Sequence, residues 1–242
     1  GDGWGGNLAG MYATERLSFG YAGSFAKSGN YAAGDSFKGY TFTGRPGHAL
    51  PTHEVGSTGF ETSHHVLRVA WRSGSQLLDF SYSYQDVPEQ LYPNQRMDMT
   101  SNTASKLSLA YTGGFDWGTL QARAYTQETA HEMDFGPDKR FWYGPGAPPA
   151  GSGGDTAVNG SPCTPISGTA LVAGQWVGCA AGMPMLADAR TTGLVVHAAI
   201  PFAEGRLLRT GGEYVGFRLD DWWPPSGAGM WPYDFLNVND GK

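Results

Sequence analysis

The chain of 242 residues lacks most of the features by which a protein of this length declares a chemistry. No stretch approaches the roughly 18 consecutive apolar residues that a membrane-crossing helix needs. The best contender, 194–202, is interrupted by His197 and ends in Pro201-Phe202, which excludes a helical membrane protein. Charged residues are only 16 % of the chain and sum to a net charge of −6, so there is no basic footprint and nucleic acid is not a partner. Serines are plentiful, yet no Gly-x-Ser-x-Gly, P-loop, dinucleotide fingerprint or zinc-like Cys/His array occurs, and no enzyme activity is expected. Of the two cysteines, Cys163 and Cys179, both lie in one Gly/Pro-rich stretch. A disulfide there would staple a loop in an oxidising compartment, and two unrelated thiols are the alternative. Residues 1–10 show neither the basic nor the apolar region of a signal peptide, and the chain stops in a polar run, Asn239-Asp240-Gly241-Lys242. It reads as an internal fragment.

What is present is alternation. With 37 glycines, 13 % aromatic and 40 % hydrophobic residues, the composition suits aromatic strands and many turns. In 17–26, Leu17, Phe19, Tyr21 and Phe25 fall on one side and Ser18, Gly20, Ala22, Ser24 and Ala26 on the other. In 78–85, Leu78, Phe80, Tyr82 and Tyr84 alternate with Asp79, Ser81, Ser83 and Gln85. Period two means strand, and the two faces suit lipid and a wet lumen. A soluble β-sandwich, as a binding module or hydrolase, would bury the apolar face instead.

The alternation predicts about eight strands, at 5–13, 16–27, 59–72, 76–87, 104–112, 119–133, 187–201 and 206–220. The turns at Thr14-Glu15, Ser73-Gly74-Ser75, Gly113 to Gly118 and Ala203-Glu204-Gly205 are short. The connections at about 28–58, 88–103, 134–186 and 221–242 are long. Tight turns at one end and long loops at the other are the pattern of a bacterial outer-membrane barrel, with the long loops extracellular. The expected fold is therefore all-β, an antiparallel transmembrane β-barrel. No closing partner is in view for the final segment, so an open arc of a larger barrel is expected rather than a complete small one. Aromatic residues near strand ends, Trp71, Phe202, Trp222 and Trp223, suit interfacial girdles.

Several segments resemble the barrel of TonB-dependent outer-membrane receptors, and especially the branch of TonB-dependent copper receptors. The similarity lies in Tyr92-Pro93-Asn94-Gln95-Arg96-Met97-Asp98-Met99-Thr100, the hairpin 106–126, and His131-Glu132-Met133-Asp134. It continues in Gly211-Gly212-Glu213-Tyr214 and Asp220-Asp221-Trp222-Trp223-Pro224-Pro225. The resemblance implies that residues 1–242 are a partial barrel domain of the about 22-stranded type, with the plug domain absent. It further implies the Gram-negative outer membrane as location, outer-membrane lipid as surroundings, and active uptake of a metal or metal chelate. Coupling would run to the TonB–ExbB–ExbD complex through a TonB box near the missing plug. No cofactor is required, and a copper ion is a candidate cargo. A passive porin-like channel is the alternative within the membrane.

Six of the seven methionines fall in or beside the expected extracellular loops: Met97, Met99, Met133, Met183, Met185 and Met230. Met97-x-Met99, His131-x-Met133 and Met183-x-Met185 each place two soft donors on one side of an extended segment. They lie on consecutive strands, whose antiparallel pairing would bring them to one rim. Thioether plus imidazole favours Cu(I). In copper receptors of the family a His-x-Met pair in the barrel acts with plug ligands, and His131 and Met133 match that pair by type and spacing. Parity sends His131, Met133, Met183 and Met185 toward the lumen. Met97 and Met99 share the parity of outward Leu107 and Leu109, and join them only if the strand breaks register near Ser101-Asn102-Thr103. A second reading is that the methionines fill an adaptable loop surface and His131 is a polar lumen residue.

Other polar residues carry less. His64 and His65 are adjacent and face opposite sides of a strand, a poor chelate; His197 is a lumen polar group. Asp220 and Asp221 before Trp222-Trp223 suggest a glycosidase pair, but strand neighbours point apart. Asp79, Arg68, Arg72, Arg123, Arg209 and Arg218 are expected to line the wet interior, pairing with one another.

Overall fold

The computed structural model of the chain describes residues 2–39, 41, 48–95, 97–139 and 184–223, and as strand backbone also 171–172, 175–176 and 235–241. All described elements are β. In chain order they are β1 (Gly3–Ala13), β2 (Leu17–Ser28), β3 (Tyr31–Ala32), β4 (Glu54–Val55), β5 (Phe60–Ser73), β6 (Gln76–Gln90) and β7 (Asp98–Phe115). They continue as β8 (Gly118–Asp134), β9 (Leu171–Val172), β10 (Gln175–Trp176), β11 (Met185–Ala203), β12 (Arg206–Trp223) and β13 (Phe235–Gly241). Nine of them form one antiparallel meander in the order β1-β2-β5-β6-β7-β8-β11-β12-β13. Its first and last strands are not paired to each other, so the sheet is open. β3 with β4 and β9 with β10 make two small ribbons inside the long connections.

The eight expected strands are all present, but three of the connections between or after them differ. β6 runs on through Pro88 to Gln90 and β7 begins at Asp98, so the connection expected over 88–103 spans only 91–97. The stretch expected as a terminal loop, 221–242, contains the end of β12 and, in β13, a partner strand for it. Gly113 and Gly114 belong to β7, and the turn there is only Asp116-Trp117. The other tight turns stand where expected, with Gly74 at φ +56° and Gly205 at φ +67°, in the left-handed region that glycine occupies without steric cost.

The register shows why the sequence alternates. Directly opposed residues share a face, and one row crosses eight strands as Tyr12, Phe19, Val69, Phe80, Leu109, Ala124, Leu194 and Tyr214. Parallel rows follow below it, through Leu17, Trp71, Leu78, Tyr111, Ala122 and Val196 and then Leu120 and Ala198, and above it through Tyr21, Leu67, Tyr82 and Leu107. At about 3.4 Å per residue the four rows span about 20 Å along the strands, close to the height of an outer-membrane apolar band. These side chains are open to the surroundings, with Leu194 48 % and Leu109 46 % exposed. The opposite face carries Arg68 bound to Asp79 at 2.6 Å, Arg123 bound to Ser108 at 2.9 Å, Gln121, His197 and Arg209.

Arg218 departs from the expectation for the wet face. It lies opposite Arg190, which lies opposite Glu128, in a row that continues through Ser105, Tyr84 and His65 on the apolar-band side, just beyond the band. Arg190 meets Glu128 at 2.6 Å and Arg218 meets Asp220 at 3.1 Å. The reason is positional: past the apolar band both faces of the strands carry polar residues, and parity no longer sorts charge.

The well-packed part of the molecule is at the long-connection end. Every buried hydrophobic residue described, Leu50, Val87, Leu91, Met99 and Phe135, lies there, with Ser57 and the fully buried Asp98. The Asp98 carboxylate accepts from the Tyr92 backbone N–H at 2.6 Å and the Ser57 hydroxyl at 3.3 Å, and pairs with Lys139 at 3.3 Å. Asn30 donates to Asp138 at 2.7 Å and to Glu54 at 2.9 Å, while its amide oxygen accepts from the Thr58 and Gly59 N–H groups. Asp138 also accepts from Ser57 N–H at 2.7 Å. Three connections are thus tied into one cap by groups that burial obliges to pair.

Candidate functional site

Two adjacent rows on the polar face, next to the cap, carry the candidate donors. In the first, Met99 of β7 is paired with Met133 of β8, and Met133 with Met185 of β11. In the second, Asn102 is paired with His131, His131 with Ala187, and Ala187 with Asp221. Paired Cα atoms on neighbouring strands are about 5 Å apart, so three thioethers stand in file across three strands. The imidazole of His131 is one row below, on the same side as Met133.

A bulge makes this file possible. Between Met99 and Ser101 the β7–β8 register shifts by one residue, leaving Thr100 over. Without it Met99 would share the parity of Leu107 and Leu109 and face the apolar-band side. β5 and β6 shift by one residue at the same height, between Glu61 and Ser63, across from Val87-Pro88, so β6 and β7 stay in register with Gln90 opposite Met99. Proline cannot donate to a ladder and is at home at a bulge. The break stands at Thr100, beside the stretch in which parity required one.

The expected donors are not all brought together. Met97 lies just ahead of β7, and no register pairs it with the file. Met183, Met230, Cys163 and Cys179 lie outside the described residues. His64 and His65 take opposite faces, and His65 Nδ1 is 2.9 Å from the Tyr21 hydroxyl. Asp220 and Asp221 point to opposite faces as well, and among the described residues Asp221 Oδ1 is a buried side-chain oxygen without a hydrogen-bond partner. His131 Nδ1 is 3.1 Å from Asn102 Oδ1. Nothing in the sequence singles out Asn102, because its relation to His131 exists only through the pairing of β7 with β8, across 29 residues of chain.

Chemically the rows offer three thioethers and one imidazole, with the Asp221 carboxylate at the far end of the second row, two strands from His131. Among the described residues no group of three or more His, Cys, Asp or Glu converges, so the wall offers no cluster of hard or anionic ligands. Thioether and imidazole together suit a soft monovalent ion such as Cu(I) over magnesium or calcium. Met99 is buried and Met133 and Met185 are half-buried, which keeps competing water partly away.

An open antiparallel meander with an apolar band on one face, a polar opposite face, tight turns at one end and long connections at the other has the pattern of a segment of β-barrel wall. Among solved structures the chain is similar to one described as the copper transporter OprC, with a TM-score of 0.58 and 16 % sequence identity. The match covers 90 % of this chain and 27 % of that one, so the chain spans about a quarter of the transporter's length. At that identity the likeness is one of fold. No family model matches the sequence, and no curated protein matches it.

Proposed function

We propose that the chain is part of the wall of a TonB-dependent outer-membrane receptor that takes up a metal or metal chelate, with copper as cargo. Coupling to the TonB–ExbB–ExbD complex would run through a plug that the barrel surrounds. The observation that carries the cargo reading is the file Met99–Met133–Met185 with His131 beside it on the polar face. The similarity in fold to a copper transporter supports the class of protein. The polar face would present His131 and the thioethers to the lumen, where a Cu(I) ion shed of water meets donors of matching softness.

Replacing His131 and Met133 together with Ala in the full receptor tests the reading. Cu(I) affinity, measured by competition with a chromophoric chelator under reducing conditions, is expected to fall at least about tenfold while the barrel still assembles in the membrane. Unchanged Cu(I) affinity would remove copper as cargo and leave the barrel reading standing. A passive channel would differ in having no plug and in passing solute without the energised inner membrane.

A further inference from the structure

His131 has one hydrogen-bonding neighbour in its row, and the chemistry of that neighbour decides which imidazole nitrogen is free. The row reads Val87, Asn102, His131, Ala187, Asp221. Val87 and Ala187 offer no side-chain polar atom, and Asp221 is two strands beyond His131. The contact of His131 is Nδ1 to Asn102 Oδ1, at 3.1 Å. An amide oxygen only accepts, so the proton of the bond belongs to Nδ1. A neutral imidazole with its proton on Nδ1 keeps its lone pair on Nε2.

We propose that Asn102 is a positioning residue: it holds His131 in the Nδ1–H tautomer and fixes the ring, so that Nε2 presents its lone pair to a soft metal ion on the polar face. The inference rests on the metal-uptake reading for its purpose, but the tautomer itself does not. A ligand histidine that donates its other nitrogen to a fixed acceptor is pre-aimed and more basic, and loss of such an acceptor usually costs about tenfold to a hundredfold in metal affinity. The bulge at Thr100 has a second consequence here. The shift that brings Met99 opposite Met133 lies directly beyond the Asn102–His131 pair, so thioethers and oriented imidazole adjoin.

The test uses the full receptor in detergent with 15N-labelled histidine, at about pH 8, where an ordinary imidazole is neutral. Nitrogen shifts distinguish the tautomers without any metal present, the His131 signal being assigned by its loss in His131→Ala. The expected result is the Nδ1–H form in the native protein and a mixture, or the Nε2–H form, in Asn102→Leu. Cu(I) affinity should fall about tenfold to a hundredfold in Asn102→Leu and recover in Asn102→Asp, which restores the acceptor. An Nε2–H tautomer in the native protein, or a His131 spectrum indifferent to Asn102→Leu, would overturn the proposal. Should the tautomer be as stated while His131→Ala leaves Cu(I) affinity unchanged, the metal reading falls and the orienting bond stands.

Discussion

At Gly118 the backbone takes φ +139°, and a Cβ there would run into the Ala199 carbonyl of the neighbouring strand. Neither obstacle is a movable side-chain tip, so Gly118→Val should cost about 2–3 kcal/mol. Gly74, at φ +56° in open space, should accept Asn for under about 1 kcal/mol. Urea unfolding followed by heat-modifiable gel mobility reads both, and equal costs would contradict the turn geometry. The glycine turns were legible in the sequence because each interrupts an alternating run. Asn102, Asp98 and Asp138 were not, because their importance comes from neighbours 29 to 108 residues away in the chain. His131 and Met133 were legible by type and spacing, whereas the placement of Met99 beside them required a bulge that parity demanded but could not locate.

The strands divide at the edge of the apolar band. Inside it, period two marks β5, β6, β8 and β11, since one face is apolar and the other polar. Beyond it the signal vanishes: the start of β7, Asp98-Met99-Thr100-Ser101-Asn102-Thr103, shows no apolar alternation although all but Thr100 are paired with β8. Pro88 reads as a strand end and is instead carried at a bulge. β13 was missed because seven residues at the chain's end are too few to establish a period. The cap makes its own prediction. Asp98→Leu removes the acceptor shared by Tyr92 N–H, Ser57 and Lys139, so protease cleavage within 91–97 should accelerate at least about tenfold while the sheet still assembles. An unchanged cleavage rate would show that the connections do not depend on that carboxylate.

For the molecule as a whole, the open sheet leaves a continuous apolar face and a polar opposite face, and the function follows from what each one touches. Leu109→Arg places a charge in the middle of the band and should cost about 2–4 kcal/mol in a bilayer. Gln121→Arg, on the polar face, should cost under about 1 kcal/mol, because its neighbours there, Thr119, His197 and Arg209, are already polar. The most direct measurement is collisional accessibility of spin labels placed singly at positions 80, 109 and 194 and at positions 81, 121 and 197, in the receptor inserted in outer-membrane lipid. Labels at the first three should be relaxed by oxygen and shielded from a water-soluble nickel chelate, and labels at the second three should show the reverse preference or be shielded from both. If the first three instead prove shielded from oxygen and from the chelate alike, the apolar face packs against protein, and neither the membrane wall nor the uptake built on it survives.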